Sequence, residues 1–513
     1  MTLPSVARAV LAAALLAAWP AGAESPPAAD PTPAADIPSS VENGVVKVFS
    51  TTRYPDPFKP WTKASPQEIT GSGVVIDGKR ILTNAHVVSY ASQVQIQANQ
   101  AGDKLPATVE AIAPGIDLAL LKLDDESFFK SHPPVPRAKA LPDIKDAVLA
   151  YGYPTGGSSL SVTKGIISRI EYVPYSVSTS GLRIQIDAAL NPGNSGGPAI
   201  ANDKIVGLAF SHLGGDTQNI GYIIPNEEID LFLADIADGH YDGKYGMYDE
   251  LQTLENPALR AYLKLDKSVA GIVVHRPYKT ESSYPLREWD VITKIGDTPV
   301  DDQGMVKLGT TLRVNFRYLI AKTVKDGKVP LTVIREGKSV AVSLPVSTSR
   351  ALLIHNLNGD YPSYFIYGPL VFSRASQEFL MFMDHSPQLV KGFAFIQSPL
   401  VTEAGNAPDD QLQDLVIVSS PFFPHKLATG YGNPSAGVVD AVNGTKVRSL
   451  EQMVALLRDL KDEFVVFKFS HRNGESLVFK RSEIVAATDE ILSDNGVRAQ
   501  ASPELMAIWQ GKN

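Results

Sequence analysis

The sequence predicts a mainly β protein, with an all-β barrel or sandwich in its N-terminal part and two smaller modules of similar plan behind it. From Val41 to about Phe210, short apolar runs alternate with turn residues at near-regular spacing, the pattern of a barrel or sandwich rather than of helices. Further on, VITKIGDTPV (291–300) and VVDAVNGTKV (438–447) share one plan: a strand, a two-residue turn and a short strand, with apolar residues at matching places. The length, 513 residues, suits about three domains at ~150 residues each.

The first element stands outside this fold. Arg8 precedes the apolar run AVLAAALLAA (9–18), and Ala21-Gly22-Ala23 is a small-x-small cleavage site, so residues 1–23 read as a secretory signal peptide cut after Ala23. The run is shorter than the ~20 apolar residues of a transmembrane helix, and no later segment has spanning length, so no stable membrane insertion is expected. Residues 24–40, rich in Pro and Ala, read as a disordered linker. The strands that follow include VVKVFS (45–50), GVVIDG (73–78), VQIQA (94–98), LALLKL (118–123), AVLAYGY (147–153), IISRI (166–170), LRIQID (182–187) and KIVGLAF (204–210). Between the first two lies a long loop, 51–70, with four prolines and three aromatics; loops of this length are usually functional or disordered. Helical periodicity first appears in NEEIDLFLADIAD (226–238), which closes the β region, and returns in SLEQMVALLRDL (449–460) after the second copy of the repeat.

Composition narrows the chemistry. A hydrophobic fraction of 44% with 20% charged residues gives enough apolar surface for several cores. Loss of Arg8, the one charged residue of 1–23, takes the net charge from −8 to −9, which argues against nucleic acid as a partner. The chain has no cysteine, which excludes disulfides, a thiol nucleophile and thiolate metal sites. The histidines at 132, 212, 240, 275, 355, 385, 425 and 471 fit no metal-binding spacing, and nothing resembles a Walker A loop, so neither metal nor nucleotide cofactor is expected.

The stretch NPGNSGGPAI (191–200) surrounds Ser195 with glycines. It fits G-x-S-x-G, the nucleophile elbow of α/β-hydrolases, but that motif must open a helix and be followed by its acid and histidine. Here the following GGPAIANDKIVGLAF reads as turn and strand. Serine needs a base to act as a nucleophile, and the base needs an orienting group. Upstream, ILTNAHVV (81–88) places His86 just after an apolar strand, and GIDLALLKL (115–123) places Asp117 at the head of another. A carboxylate there is costly to bury unless hydrogen-bonded, and a histidine N–H is the obvious partner. The order His86, Asp117, Ser195 inside an all-β region is that of a chymotrypsin-type barrel protease.

TNAHVV, DLALLKL, GNSGGP and NIGYIIP (219–225) resemble the Deg/HtrA serine proteases over about the whole mature chain. PWTK (60–63), GYPTGG (152–157), ENPALR (255–260), FRYLI (316–320) and YPSYFIYGPLVF (361–372) are similar to the plant-type Deg branch with an unusual second PDZ domain. The resemblance implies a chymotrypsin-like double β-barrel protease domain (41–240), two PDZ-like α+β domains (245–348 and 349–495) and a C-terminal tail (496–513). Within the first PDZ-like domain, WDVI (289–292) has Trp289 where the family usually has glycine. His86 is implied as the base, Asp117 as its orienting acid and Ser195 as the nucleophile. Gly193, Asn194 and Ser195 form the oxyanion loop, with the N–H groups of Gly193 and Ser195 as donors. Ala189 is implied at the base of the primary specificity pocket and Leu208, Ala209 and Phe210 as its wall, which suits small or medium apolar P1 residues. The resemblance further implies ATP-independent cleavage of misfolded or damaged protein and assembly into trimers or hexamers, with loop 51–70 as a candidate inter-subunit contact, and the signal peptide suggests that this takes place in the bacterial periplasm. Loops 155–161, 171–182 and 211–219 are implied to control activation. The alternative is a latent or chaperone-like binding protein that uses the barrel as a scaffold.

Overall fold

The computed structural model describes residues 39–512, apart from 99–101, 158, 177, 213–219, 310–311, 385–386 and 473. The expected signal peptide, nearly all of the linker that follows it, and most of loop 211–219 lie outside these residues. The first barrel comprises β1 (Val45–Thr52), β2 (Gln67–Ile76), β3 (Arg80–Thr83), β4 (Ala91–Ala98), β5 (Leu105–Ala113) and β6 (Leu118–Leu123), closed in the order β1-β2-β3-β6-β5-β4. The second comprises β7 (Ala147–Gly152), β8 (Ser161–Pro174), β9 (Ser180–Ile186), β10 (Pro198–Ala201), β11 (Lys204–His212) and β12 (Gly221–Pro225), closed in the order β10-β11-β12-β9-β8-β7. Closure removes sheet edges and leaves alternate side chains to fill each interior. Val46, Val48, Ile81, Ile96 and Leu121 fill the first barrel, and Val148, Ile167, Ile184, Ile186 and Ile223 the second. The helix Asn226–Asp235 closes this part of the chain, as its periodicity predicts.

The middle module is α+β. Its strands Glu250–Thr253, Ile272–Arg276, Val291–Ile295, Lys328–Arg335 and Lys338–Pro345 neighbour one another in sequence order. The C-terminal module holds a three-stranded sheet, Tyr364–Tyr367, Leu370–Arg374 and Val416–Val418, and a four-stranded one built on Val439–Val442. Both copies of the repeat are hairpins with two-residue turns: Ile295 pairs with Thr298, and Val442 with Thr445. The second turn has φ of +45° at Asn443 and +80° at Gly444, the two left-handed positions that an Asn-Gly turn supplies. Ser449 then caps the helix Leu450–Asp459 by accepting from the N–H of Gln452 at 3.2 Å.

The structure departs from the expected tail. Residues 496–513 include the helix Pro503–Trp509, whose Leu505 is fully buried, while Trp509 packs on Phe365 and Tyr367. The segment completes the C-terminal core. In loop 51–70, Trp61 packs against the cluster of the C-terminal module that includes Tyr364 and Phe423.

Candidate active site

Buried neighbours place His86. β3 runs into a one-turn helix, Ala85–Val88, whose Ala85, Val87 and Val88 are buried, so the turn is pinned and His86 is left at the surface. Asp117 follows a short turn at Pro114–Ile116 and has φ +57°, a left-handed conformation that aspartate tolerates better than most residues. It thereby heads β6 with its carboxylate turned to His86. One carboxylate oxygen accepts the backbone N–H of His86 at 2.9 Å and the other meets Nδ1 at 2.7 Å. Asn84 Nδ2 donates to the Asp117 carbonyl at 2.8 Å. The pairing puts the proton on Nδ1 and leaves Nε2 as the basic nitrogen. Burial lowers the imidazole pKa, the hydrogen bond and charge of Asp117 raise it, and the net is a value above the usual 6.5.

The loop that carries Ser195 is held on both sides. The N–H of Asn194 donates to the Asn191 carbonyl at 3.0 Å, closing a tight turn, and Thr155 N–H donates to the Pro192 carbonyl at 2.8 Å. Gly193 has φ +100°, and a Cβ there would stand 2.4 Å from the Tyr153 carbonyl, so only glycine fits. In a trans peptide the C=O and the next N–H point opposite ways. The bond from Thr155 therefore turns the N–H of Gly193 away from that loop. Among the described residues, no acceptor takes the N–H of Gly193 or of Ser195. The N–H of Asn194, the third residue of the expected oxyanion loop, is spent inside the turn. Buried Ser72 fastens the loop from the first barrel. Its hydroxyl donates to the Gly193 carbonyl at 2.7 Å and accepts from Tyr153 N–H at 2.8 Å, and its own N–H donates to the Ser195 carbonyl at 2.7 Å.

His86, Asp117 and Ser195 line one open cavity of about 900 Å³, together with Gly193, Leu190, Ala209 and Phe210. Two of the expected pocket residues lie elsewhere. Ala189 is exposed, with its carbonyl accepting from Thr163, and Leu190 takes its place in the cavity. Leu208 is fully buried in the second barrel. In a regular strand Leu208 and Phe210 share a face, but the β11–β12 register shifts between Ala209 and Ser211. That bulge re-aims Phe210 into the cavity. Sequence reasoning missed Ser72, Leu190 and Tyr175. Tyr175 also lines the cavity, stacks on Phe210 with ring centres 5.3 Å apart, and donates its hydroxyl to the Leu182 carbonyl. The one available signal was Ser72, a small polar residue between two glycines inside an apolar strand.

Double barrel and site together define the class: a trypsin-like serine peptidase with C-terminal α+β modules. The trypsin-like peptidase domain family matches residues 71–208, and the PDZ domain family matches residues 355–504. Protease Do-like 2 (chloroplastic) of Arabidopsis thaliana is 34% identical over 474 residues, covering 91% of this chain and 76% of that protein. Protease Do-like 4 (mitochondrial) of the same plant is 32% identical, covering 91% of this chain and 88% of that one. Among solved structures, the HtrA-type protease AlgW with a decapeptide is 26% identical, with 61% of this chain and 97% of that chain covered and a TM-score of 0.46. The chain belongs to the Deg/HtrA (Do-like) family of serine proteases and fits its plant-type branch.

Proposed function

We propose that His86, Asp117 and Ser195 are the catalytic triad of this endopeptidase. The double contact of Asp117 with His86, beside Ser195 in one cavity, carries the reading. His86 Nε2 takes the proton of the Ser195 hydroxyl as Oγ attacks the scissile carbonyl, and returns it to the leaving amine. Asp117 holds the tautomer and stabilises the imidazolium. The N–H groups of Gly193 and Ser195 receive the developing oxyanion, where one donor is worth about 3 kcal/mol. The P1 side chain enters the apolar part of the cavity, at Leu190, Ala209 and Phe210, which suits a small or medium apolar residue. The domain boundaries proposed are 41–240 for the protease, 245–348 for the first PDZ-like domain, and from 349 onward for the second. The substrates proposed are unfolded or damaged proteins, the assembly a trimer or hexamer, and the site of action the bacterial periplasm after export and cleavage at Ala23. The family resemblance supports the substrate class and the assembly, and the signal-peptide pattern of residues 1–23 supports export.

Digestion of β-casein at neutral pH, with the cut sites mapped, tests the proposal. Wild type is expected to cut after small or medium apolar residues and Ser195→Ala to lose at least 1,000-fold. Cuts confined to Lys and Arg would remove the pocket assignment. No cleavage by wild type would favour the scaffold alternative.

A further inference from the structure

The loop between β1 and β2 ends on the C-terminal module. Trp61 packs on Tyr364 and Phe423 with ring centres 5.9 and 5.6 Å away, and Phe58 on Phe379 at 5.7 Å. Lys63 Nζ lies 4.6 Å from the ring centre of Tyr361, whose hydroxyl donates to the Arg53 carbonyl at 3.1 Å. From this clamp a line of rings runs back toward the active site. Tyr361 meets Tyr90 edge-on at 5.8 Å, and Tyr90 meets Tyr54 at 5.1 Å. Tyr54 stands close enough to Asp117 for the carboxylate charge to add to the effect of burial in raising its phenol pKa.

Tyr90 is the joint. It lies two residues past the one-turn helix that carries His86, and its φ is +56°. A bulky residue persists in that conformation only where its surroundings over-determine it. Here the surroundings are the Tyr54 ring, the Tyr361 ring from the C-terminal module, and a bond from Arg53 N–H to the Tyr90 carbonyl at 2.9 Å.

We propose that the C-terminal PDZ module is a strut of the active site: the Tyr361–Tyr90–Tyr54 stack, anchored by Trp61, fixes the turn that carries His86. Tyr90 and Tyr361 are thus positioning residues for that base. The inference rests on the assignment of His86 and Asp117 made above. Asp117 is the charged group against His86 and Tyr54, and Glu378 and Lys63 are those against the outer rings. The stack lies outside the cavity that holds Ser195, so its loss changes how well His86 is registered and leaves substrate binding alone.

The test compares full-length wild type, Tyr361→Ala and Trp61→Ala on a short quenched apolar peptide between about pH 5 and 9. Both variants are expected to lose about tenfold in kcat with KM within about twofold, as a misplaced catalytic group does. The acid midpoint of kcat/KM is expected to move down, because an imidazole that leaves Asp117 loses what raises its pKa. Tyr361→Phe keeps the ring and is expected to keep the wild-type midpoint. Titration of the reactive serine with a fluorophosphonate counts folded sites. A fall in activity matched by fewer titratable sites, with the midpoint unmoved, overturns the proposal, and so do wild-type kinetics in both alanine variants. His86→Ala separates the two readings. Full activity in that variant removes the base assignment, whereas its inactivity beside a wild-type Tyr361→Ala removes only the strut.

Discussion

At the scale of single residues, the raised pKa of His86 sets the pH behaviour. As the proposed base, His86 must be neutral to accept the serine proton, so activity is expected to fall as pH drops through the folded value, which Asp117 holds above 6.5. Loss of Asp117 returns the imidazole toward or below its ordinary value. In Asp117→Asn the residual kcat/KM is therefore expected to keep its acid limb at lower pH than wild type, alongside a fall of about 10⁴-fold in kcat. A pH–rate series on both proteins checks this, and coincident midpoints would remove Asp117 as the source of the shift. The sign for stability is the reverse of that for activity: the raised value adds stability below the unfolded pKa and loses it as pH rises through the folded one. The three residues of the proposed triad were legible because each sits in a short local signature with a chemical reason for its residue type. The pocket was less so. Ala189 and Leu208 are implied by the resemblance alone, and the bulge between Ala209 and Ser211 breaks the alternation that would put Leu208 on the face of Phe210. Tyr175 reaches the cavity from the far end of the β8–β9 hairpin, and nothing in its local sequence announces that contact.

At the scale of elements, the turn before Val291–Ile295 shows how a strained residue is kept. Trp289 has φ +71°, where the family usually has glycine; its ring meets Tyr262 edge-on at 5.5 Å and its backbone N–H donates to the Val274 carbonyl at 2.9 Å. That backbone state costs about 1–2 kcal/mol for an L-residue. The next residue holds it. Asp290 is 1% exposed and takes two bonds from Arg335, Nε to Oδ1 at 2.7 Å and Nη2 to Oδ2 at 2.6 Å, while Arg287 N–H donates at 2.9 Å. Removing one partner of such a pair leaves the other uncompensated. Asp290→Ala is expected to destabilise the middle module by about 3–5 kcal/mol. Trp289 fluorescence during denaturant unfolding reports it, and a change under 1 kcal/mol would show that the pair is dispensable. The hairpins were readable from their turn chemistry. The helices Gln377–Asp384, Pro387–Phe395 and Pro399–Thr402 were not, because their apolar residues are not confined to a buried face: Met381 is 62% and Phe395 83% exposed. Periodicity marks a helix only where one side is buried.

At the scale of the whole molecule, one buried ion pair joins the protease to the segment that leads into the middle module. Glu228, on the helix that closes the second barrel, is 1% exposed, and Lys244 is 7% exposed with Nζ 2.7 Å from both carboxylate oxygens. The same carboxylate accepts Leu182 N–H at 2.7 Å, at the β8–β9 hairpin. Gly181 makes room for it, since a Cβ there would come within 2.9 Å of the carboxyl carbon. Lys244 also lies over the Tyr172 ring at 5.2 Å. Helix, hairpin and interdomain segment thus meet on one carboxylate. Glu228→Gln removes the charge and leaves the buried Lys244 without its counter-charge, which costs about 3–5 kcal/mol, whereas replacing both charges by apolar groups of similar shape is often neutral. Glu228→Gln is therefore expected to lower the thermal midpoint and to open the segment around residues 239–247 to proteases. Glu228→Leu/Lys244→Met is expected to recover most of the thermal midpoint but not the protection, because Leu182 N–H then has no acceptor. A double variant that is less stable than Glu228→Gln would mean that the carboxylate acts through Leu182 alone. A single variant within about 1 kcal/mol of wild type would mean that the three elements are held together by packing without the pair.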